Sequence, residues 1–109
     1  MDEQNLVQAQ KLQQRLQFIV MQKQQLQLQQ SEIDRALKEL EGASVAFRVA
    51  GSIMVEKKVP DLKNQLTEEK ETVDVRLKAL ETQEASLIKE FEELRKKIEP
   101  AGGDTAVSS

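Results

Sequence analysis

The chain has 109 residues, 39% of them apolar and only three aromatic, a content that fills one domain at most and no thick globular core. It contains neither cysteine nor histidine, which removes the thiolate nucleophile, the imidazole base, the disulfide framework and the usual zinc ligands together. A formal charge of −3 speaks against a nucleic-acid footprint of clustered Lys and Arg, and the lack of a run of about 18 apolar residues speaks against a spanning helix.

The first residues, Met1-Asp2-Glu3-Gln4, are acidic where a secretory leader would be basic and then apolar, so a soluble, cytoplasmic protein is expected. From about residue 4 to residue 41 no Gly or Pro interrupts the chain, and apolar residues recur in alternating steps of four and three. That spacing predicts one long helix. With Leu12 at heptad position d, the d sites read Leu12, Ile19, Leu26, Ile33 and Leu40, and the a sites Ala9, Leu16, Lys23, Gln30 and Leu37. Gly42 follows where a left-handed helix cap requires a residue without Cβ.

Val45 to Val49 and Ser52 to Glu56 are rich in β-branched residues, partly alternate, and flank Ala50-Gly51, which predicts a β-hairpin over about residues 44–57. Gly51 can supply the positive φ of a two-residue turn, although the turn type stays open, and a compact apolar loop is the other reading. A lone two-stranded hairpin is marginal in water and would leave Val45, Phe47, Val49, Ile53 and Val55 uncovered. Other chains would then complete its sheet. These five residues, with Gly51 at the turn, form the candidate subunit-assembly site.

A second run over about residues 61–99 repeats the heptad, with d sites Leu66, Val73, Leu80, Leu87 and Leu94 and a sites Lys63, Lys70, Leu77, Glu84, Phe91 and Ile98. Pro60 suits its first turn, while Pro100, Gly102 and Gly103 end it and leave residues 100–109 as an expected disordered tail. Two helices of about 38 residues, each roughly 57 Å long, imply a rod. The expected fold is mainly α: a single domain over residues 1–99 built as an antiparallel two-helix coiled coil with one hairpin between the helices. The favoured register pairs Leu37 with Leu66, Leu26 with Leu77, Leu16 with Leu87, Leu12 with Phe91 and Ala9 with Leu94. It sets Lys23 against Leu80, Gln30 against Val73, Lys70 against Ile33 and Glu84 against Ile19. A shift of one heptad scores nearly as well. Asp2 and Glu3 would lie near Arg95, Lys96 and Lys97, which suits both helix dipoles. The polar seam residues are expected to set register, and Thr67-Glu68-Glu69-Lys70-Glu71 to be a solvated face rather than a metal site.

The glutamine-rich stretch Leu16-Gln17-Phe18-Ile19-Val20-Met21-Gln22-Lys23-Gln24, the hairpin from Val45 to Val55 with Gly51, and the coil Arg76-Leu77-Lys78-Ala79-Leu80-Glu81-Thr82-Gln83-Glu84 together resemble the β-class subunit of prefoldin. The likeness spans almost the whole chain, and its order of long helix, single hairpin and equal helix is more specific than glutamine-rich coils alone. The α-class subunits carry two hairpins. The resemblance implies a hetero-hexamer of two α and four β subunits, joined through their hairpins into β-barrels. It also implies an ATP-independent co-chaperone that captures unfolded proteins at coiled-coil tips and delivers them to a group II chaperonin. No enzyme activity, cofactor, metal, nucleic-acid partner or membrane partner is expected. No Gly-rich phosphate loop occurs.

The candidate client-binding residues are Leu6, Val7, Leu12, Leu16, Phe18 and Met21 of the first helix and Ile88, Phe91, Leu94 and Ile98 of the second. Leu6, Val7, Phe18, Val20 and Met21 fall off the seam, in a region where 12 of the first 30 residues are Gln. Such a surface can meet apolar segments without charge selection, and Met adapts to many shapes. Tolerated surface hydrophobes or contacts to a neighbouring coil are the other reading. Phe91 and Leu94 sit on the seam and would be available only where the last turns splay. A coiled-coil scaffold or adaptor without holdase activity is the alternative function.

Overall fold

Four elements follow one another in the computed structural model, which describes residues 3–98. They are α1 (Glu3–Leu40), β1 (Ala46–Ala50), β2 (Ile53–Lys57) and α2 (Val59–Ile98). The fold is mainly helical, with a β-hairpin between two long helices. Helix α1 stops at Leu40, and Gly42 takes up φ 75°, the left-handed geometry that an L side chain resists. The Ala43 amide closes this cap by donating to the Leu40 carbonyl at 3.2 Å. Helix α2 begins earlier than its apolar period announced. The Lys58 carbonyl accepts the first helical bond from Leu62, which places Pro60 inside the first turn, where its missing N–H costs nothing. The expected helix stop at Pro100, Gly102 and Gly103, the tail and Asp2 lie outside the described residues.

Two compact units partition the chain. The hairpin unit, residues 24–78, has a core of Ile33, Leu40, Ala46, Leu62, Leu66, Val73 and Leu77, with Leu26, Ala36, Leu37 and Val59 packed against it. The terminal unit, residues 1–23 and 79–109, has a core of Leu12, Ile19, Leu87 and Leu94, flanked by Ala9, Leu16, Leu80 and Phe91. Every a and d position whose side chain is described is thus buried or half-buried, as a coiled-coil seam requires. Each covered leucine or isoleucine contributes roughly 1.5–3 kcal/mol of apolar transfer. Leu62 and Ala46 lie outside the heptad stripe and join the core because the hairpin adds a second surface to this unit.

The polar seam residues find polar partners across the coil. Lys23 Nζ meets Glu84 at 2.8 Å, Gln30 Nε2 donates to Asp74 at 2.6 Å, and Lys70 Nζ meets Asp34 at 2.6 Å. Asp74 and Asp34 directly follow Val73 and Ile33, the residues expected opposite Gln30 and Lys70. In the hairpin unit the contacts therefore agree with the favoured register. The hydrogen bond to Glu84 raises the Lys23 pKa above its ordinary value and the bond to Asp34 does the same for Lys70, each against a smaller loss of hydration. A raised lysine pKa adds stability that is complete below the ordinary lysine range and fades only as the pH climbs through the raised value. These pairs therefore hold at neutral pH. Arg95 bonds Glu92 of its own helix at 2.9 Å, a neighbour one turn away on the same face.

Glu69 corrects the expectation of a wholly solvated face. Arg48 of β1 reaches it with both guanidinium nitrogens: Nη2 donates to Oε1 at 3.0 Å, and Nη1, itself buried, lies 2.7 Å from Oε2. Both side chains are about a third exposed, so screening limits the pair to roughly 1 kcal/mol or less. Its value is orientation, because the fork fixes β1 on α2. Arg48→Glu should speed amide exchange across β1, and the swap with Glu69→Arg should restore slow exchange. Equal exchange in the single and double variants would remove this role.

Candidate functional site

The hairpin strands pair antiparallel with Ala46 opposite Lys57, Phe47 opposite Glu56, Arg48 opposite Val55, Val49 opposite Met54 and Ala50 opposite Ile53. The turn is therefore Gly51-Ser52 rather than the predicted Ala50-Gly51. Only Gly51 has a positive φ, 64°, and that single left-handed residue at the first central position is the pattern of a type II′ turn. The predicted placement would have put Ala50 at the first central position, where the turns favoured in two-residue hairpins need a positive φ that alanine resists.

Opposed residues share a face of the sheet, so this register sorts the candidate assembly residues into two sets. Ala46, Arg48, Ala50, Ile53, Val55 and Lys57 form the inner face, which is anchored at one end by buried Ala46 and the Arg48–Glu69 pair and is exposed at Ala50, Ile53 and Val55. Phe47, Val49, Met54 and Glu56 form the outer face. Phe47 is 52% exposed and Val49 and Met54 each 67%, while Val45, just ahead of β1, is exposed as well. Val45, Phe47, Val49, Ile53 and Val55, expected to be left uncovered, are all exposed, but the register divides them between the two faces. Ile53, 61% exposed, and Val55 lie on the inner face, and Met54, which was not among the candidates, joins Phe47 and Val49 on the outer one. Strict alternation of the second strand around a fixed turn would have revealed it. The sheet has two strands, so each also presents an unpaired edge.

In the terminal unit the candidate client-binding residues divide differently. Leu12 and Leu94 are buried and Leu16 and Phe91 half-buried in the coil core. These four are seam residues, covered because a two-helix coil has no other apolar surface with which to hold together. Ile98 ends α2, but its side chain lies outside the described residues. Leu6, Val7, Phe18, Met21 and Ile88 are exposed, Phe18 most of all at 61%. At about 100° per residue, Val7, Phe18 and Met21 fall within roughly 60° of one another and form an outward stripe about 21 Å long on α1. Leu6, Val20 and Ile88 all sit at e positions, which border one edge of an antiparallel coil. The partial exposure of Val20 adds it to this second group. Phe18 and Ile19 line a shallow groove with Lys11, Gln14, Arg15, Gln22 and Gln83, a mixture suited to apolar contact with adaptable amide bonding.

Among the described residues no group of His, Cys, Asp or Glu could hold a metal ion, and no helix is long and apolar enough to cross a membrane. Residues 3–103 match the family model described as "Prefoldin subunit". The chain is 37% identical over 100 residues to the prefoldin subunit beta of Archaeoglobus fulgidus, covering 88% of this chain and 86% of that one. It is 38% identical over 97 residues to the prefoldin subunit beta of Thermococcus onnurineus, covering 86% and 84%. The crystal structure of the prefoldin beta subunit from Thermococcus strain KS-1 superposes with a TM-score of 0.81 at 36% identity, covering 88% of this chain and 87% of that one.

Proposed function

The chain belongs to the β class of the prefoldin subunit family, and on that footing we propose that it captures unfolded proteins without ATP and passes them to a group II chaperonin. It does so in the cytoplasm as one of four β copies joined to two α-class subunits. The observation that carries the assembly half of this reading is the outer hairpin face. Phe47, Val49 and Met54 are open to solvent on a sheet with two unpaired edges, and a two-stranded ribbon gains stability when other chains supply both missing partners.

Client capture is assigned to the terminal unit, where Val7, Phe18, Met21, Leu6, Val20 and Ile88 offer apolar surface among glutamines. Each contact is weak, and several coils gripping one client raise the effective concentration of the next contact. Mixing the purified chain with an α-class prefoldin subunit tests both halves. The expected product is a hexamer by native mass measurement that suppresses aggregation of an unrelated unfolded protein. A hexamer without protection would instead indicate the scaffold alternative, and no particle at all would remove the assembly reading.

A further inference from the structure

The outer hairpin face carries a chemistry that bulk and hydrophobicity do not account for. The chain has no Cys, His, Trp or Tyr, so the thioether of methionine is its one readily oxidised side chain, present at Met1, Met21 and Met54. Met1 lies outside the described residues. Met54 lies directly opposite Val49 and diagonal to Phe47, on the most exposed apolar part of the hairpin, with 67% of its surface open. In the single chain this side chain is open to solvent. A covered face would shield it fully.

We infer that Met54 is a peroxide-sensitive modification site whose sulfoxide keeps the free chain out of the assembled particle. This rests on the proposal that the outer face is covered during assembly. In the reaction a sulfur lone pair attacks one oxygen of a hydroperoxide, a new S–O bond forms and the O–O bond breaks. The departing hydroxide or alkoxide takes up the proton released from the transferred oxygen, so the sulfur is oxidised by two electrons and the peroxide is reduced to water or an alcohol. The flexible apolar side chain becomes a strong hydrogen-bond acceptor. Burying that oxygen against Val49 and Phe47 leaves it without a donor, at a cost of the kind that any unpaired buried polar atom carries. Because assembly hides the sulfur, oxidation acts on free chains and spares completed particles. The modification gates entry rather than dismantling what has formed. Met21, 59% exposed, lies in the terminal unit, and its oxidation bears on client contacts instead.

The test treats the full chain with a limiting dose of hydrogen peroxide, mixes it with an α-class prefoldin subunit, separates assembled from free chains and maps sulfoxides peptide by peptide. Met54 sulfoxide is expected to be enriched in the free fraction by about tenfold or more, while the sulfoxides of Met1 and Met21 distribute evenly. Methionine sulfoxide reductase should return the free chains to the particle. Met54→Leu, which keeps the bulk and loses the sulfur, should assemble to the same extent with and without peroxide, each sample being compared with its own untreated control. Equal Met54 sulfoxide in both fractions overturns the inference, as does a Met54 that resists a dose oxidising Met21. Phe47→Asp separates the two layers of the argument. If that variant also assembles, the outer face is not an interface and the assembly proposal itself has failed. If it is excluded while Met54 sulfoxide is admitted, only the redox gate is lost.

Discussion

Phe47→Asp should leave a folded, helical chain that no longer enters a particle. The substitution puts a carboxylate at the centre of the outer hairpin face, opposite Glu56 and beside Val49, where the single chain is open to water and tolerates it. Apart from Ala46, which faces the other side of the ribbon, both cores are built from helix residues between Ala9 and Leu40 and between Val59 and Leu94. Helicity by circular dichroism and the thermal midpoint of the free chain should therefore change little. Sealing the same carboxylate inside an inter-chain sheet, next to the like charge of Glu56, has no compensating partner. A penalty of about 4 kcal/mol, modest for an unpaired buried charge, would raise the concentration needed for assembly by roughly a thousandfold. Native mass measurement at ordinary concentrations decides it, and a full hexamer would show that the particle is built through another surface.

Replacing Leu6, Val7, Phe18 and Met21 by serine should abolish most client protection while the particle still forms. A side chain giving up about 100 Å² of apolar contact loses roughly 2–3 kcal/mol before ordering costs are counted. Four such losses, repeated over several coils, remove the avidity on which retention depends. The seam residues Leu12, Ile19, Leu87 and Leu94 are untouched, so the coil stays closed. High salt should matter little by comparison, because screening weakens exposed charge pairs and not buried apolar area. Aggregation protection at low and high salt, with helicity as the control, measures both effects. Protection that survives the substitutions but collapses in salt would mean that clients are held by charge. Splitting the set refines the result. A triple variant at Val7, Phe18 and Met21 tests the outward stripe, and one at Leu6, Val20 and Ile88 tests the edge.

Two further features separate what a linear pattern reports from what it misses. The heptads named the seam on both helices because burial in a coiled coil depends on one angle around one axis, and that angle is written in residue spacing. Leu12, Leu16, Phe91 and Leu94, also candidates for client binding, lie in the coil core, as their a and d positions require. An apolar residue on the seam and one facing solvent are chemically identical in the sequence, and the partner helix determines which is which. Glu69 shows the same limit for charge. It stands in a run that reads as solvated, and only the approach of β1 gives it Arg48 as a partner.

The order of elements, the Gly42 cap, the existence of a hairpin around Gly51 and the a and d composition of both helices are legible in the linear chain. Each follows from local backbone sterics or from a short repeat, and neither needs distant residues to be in place. Which face of the hairpin is covered and which is open follows from packing against α2. Moving the turn from Ala50-Gly51 to Gly51-Ser52 changes which residues oppose one another but not which share a face, and anchoring Ala46 in the helical core with Arg48 on Glu69 makes theirs the inner one. Met54 became part of the outer face through that anchoring. In a period-two element the two faces are equivalent until something packs against one of them, and here the partner of Arg48 is a helix residue 21 positions further along the chain.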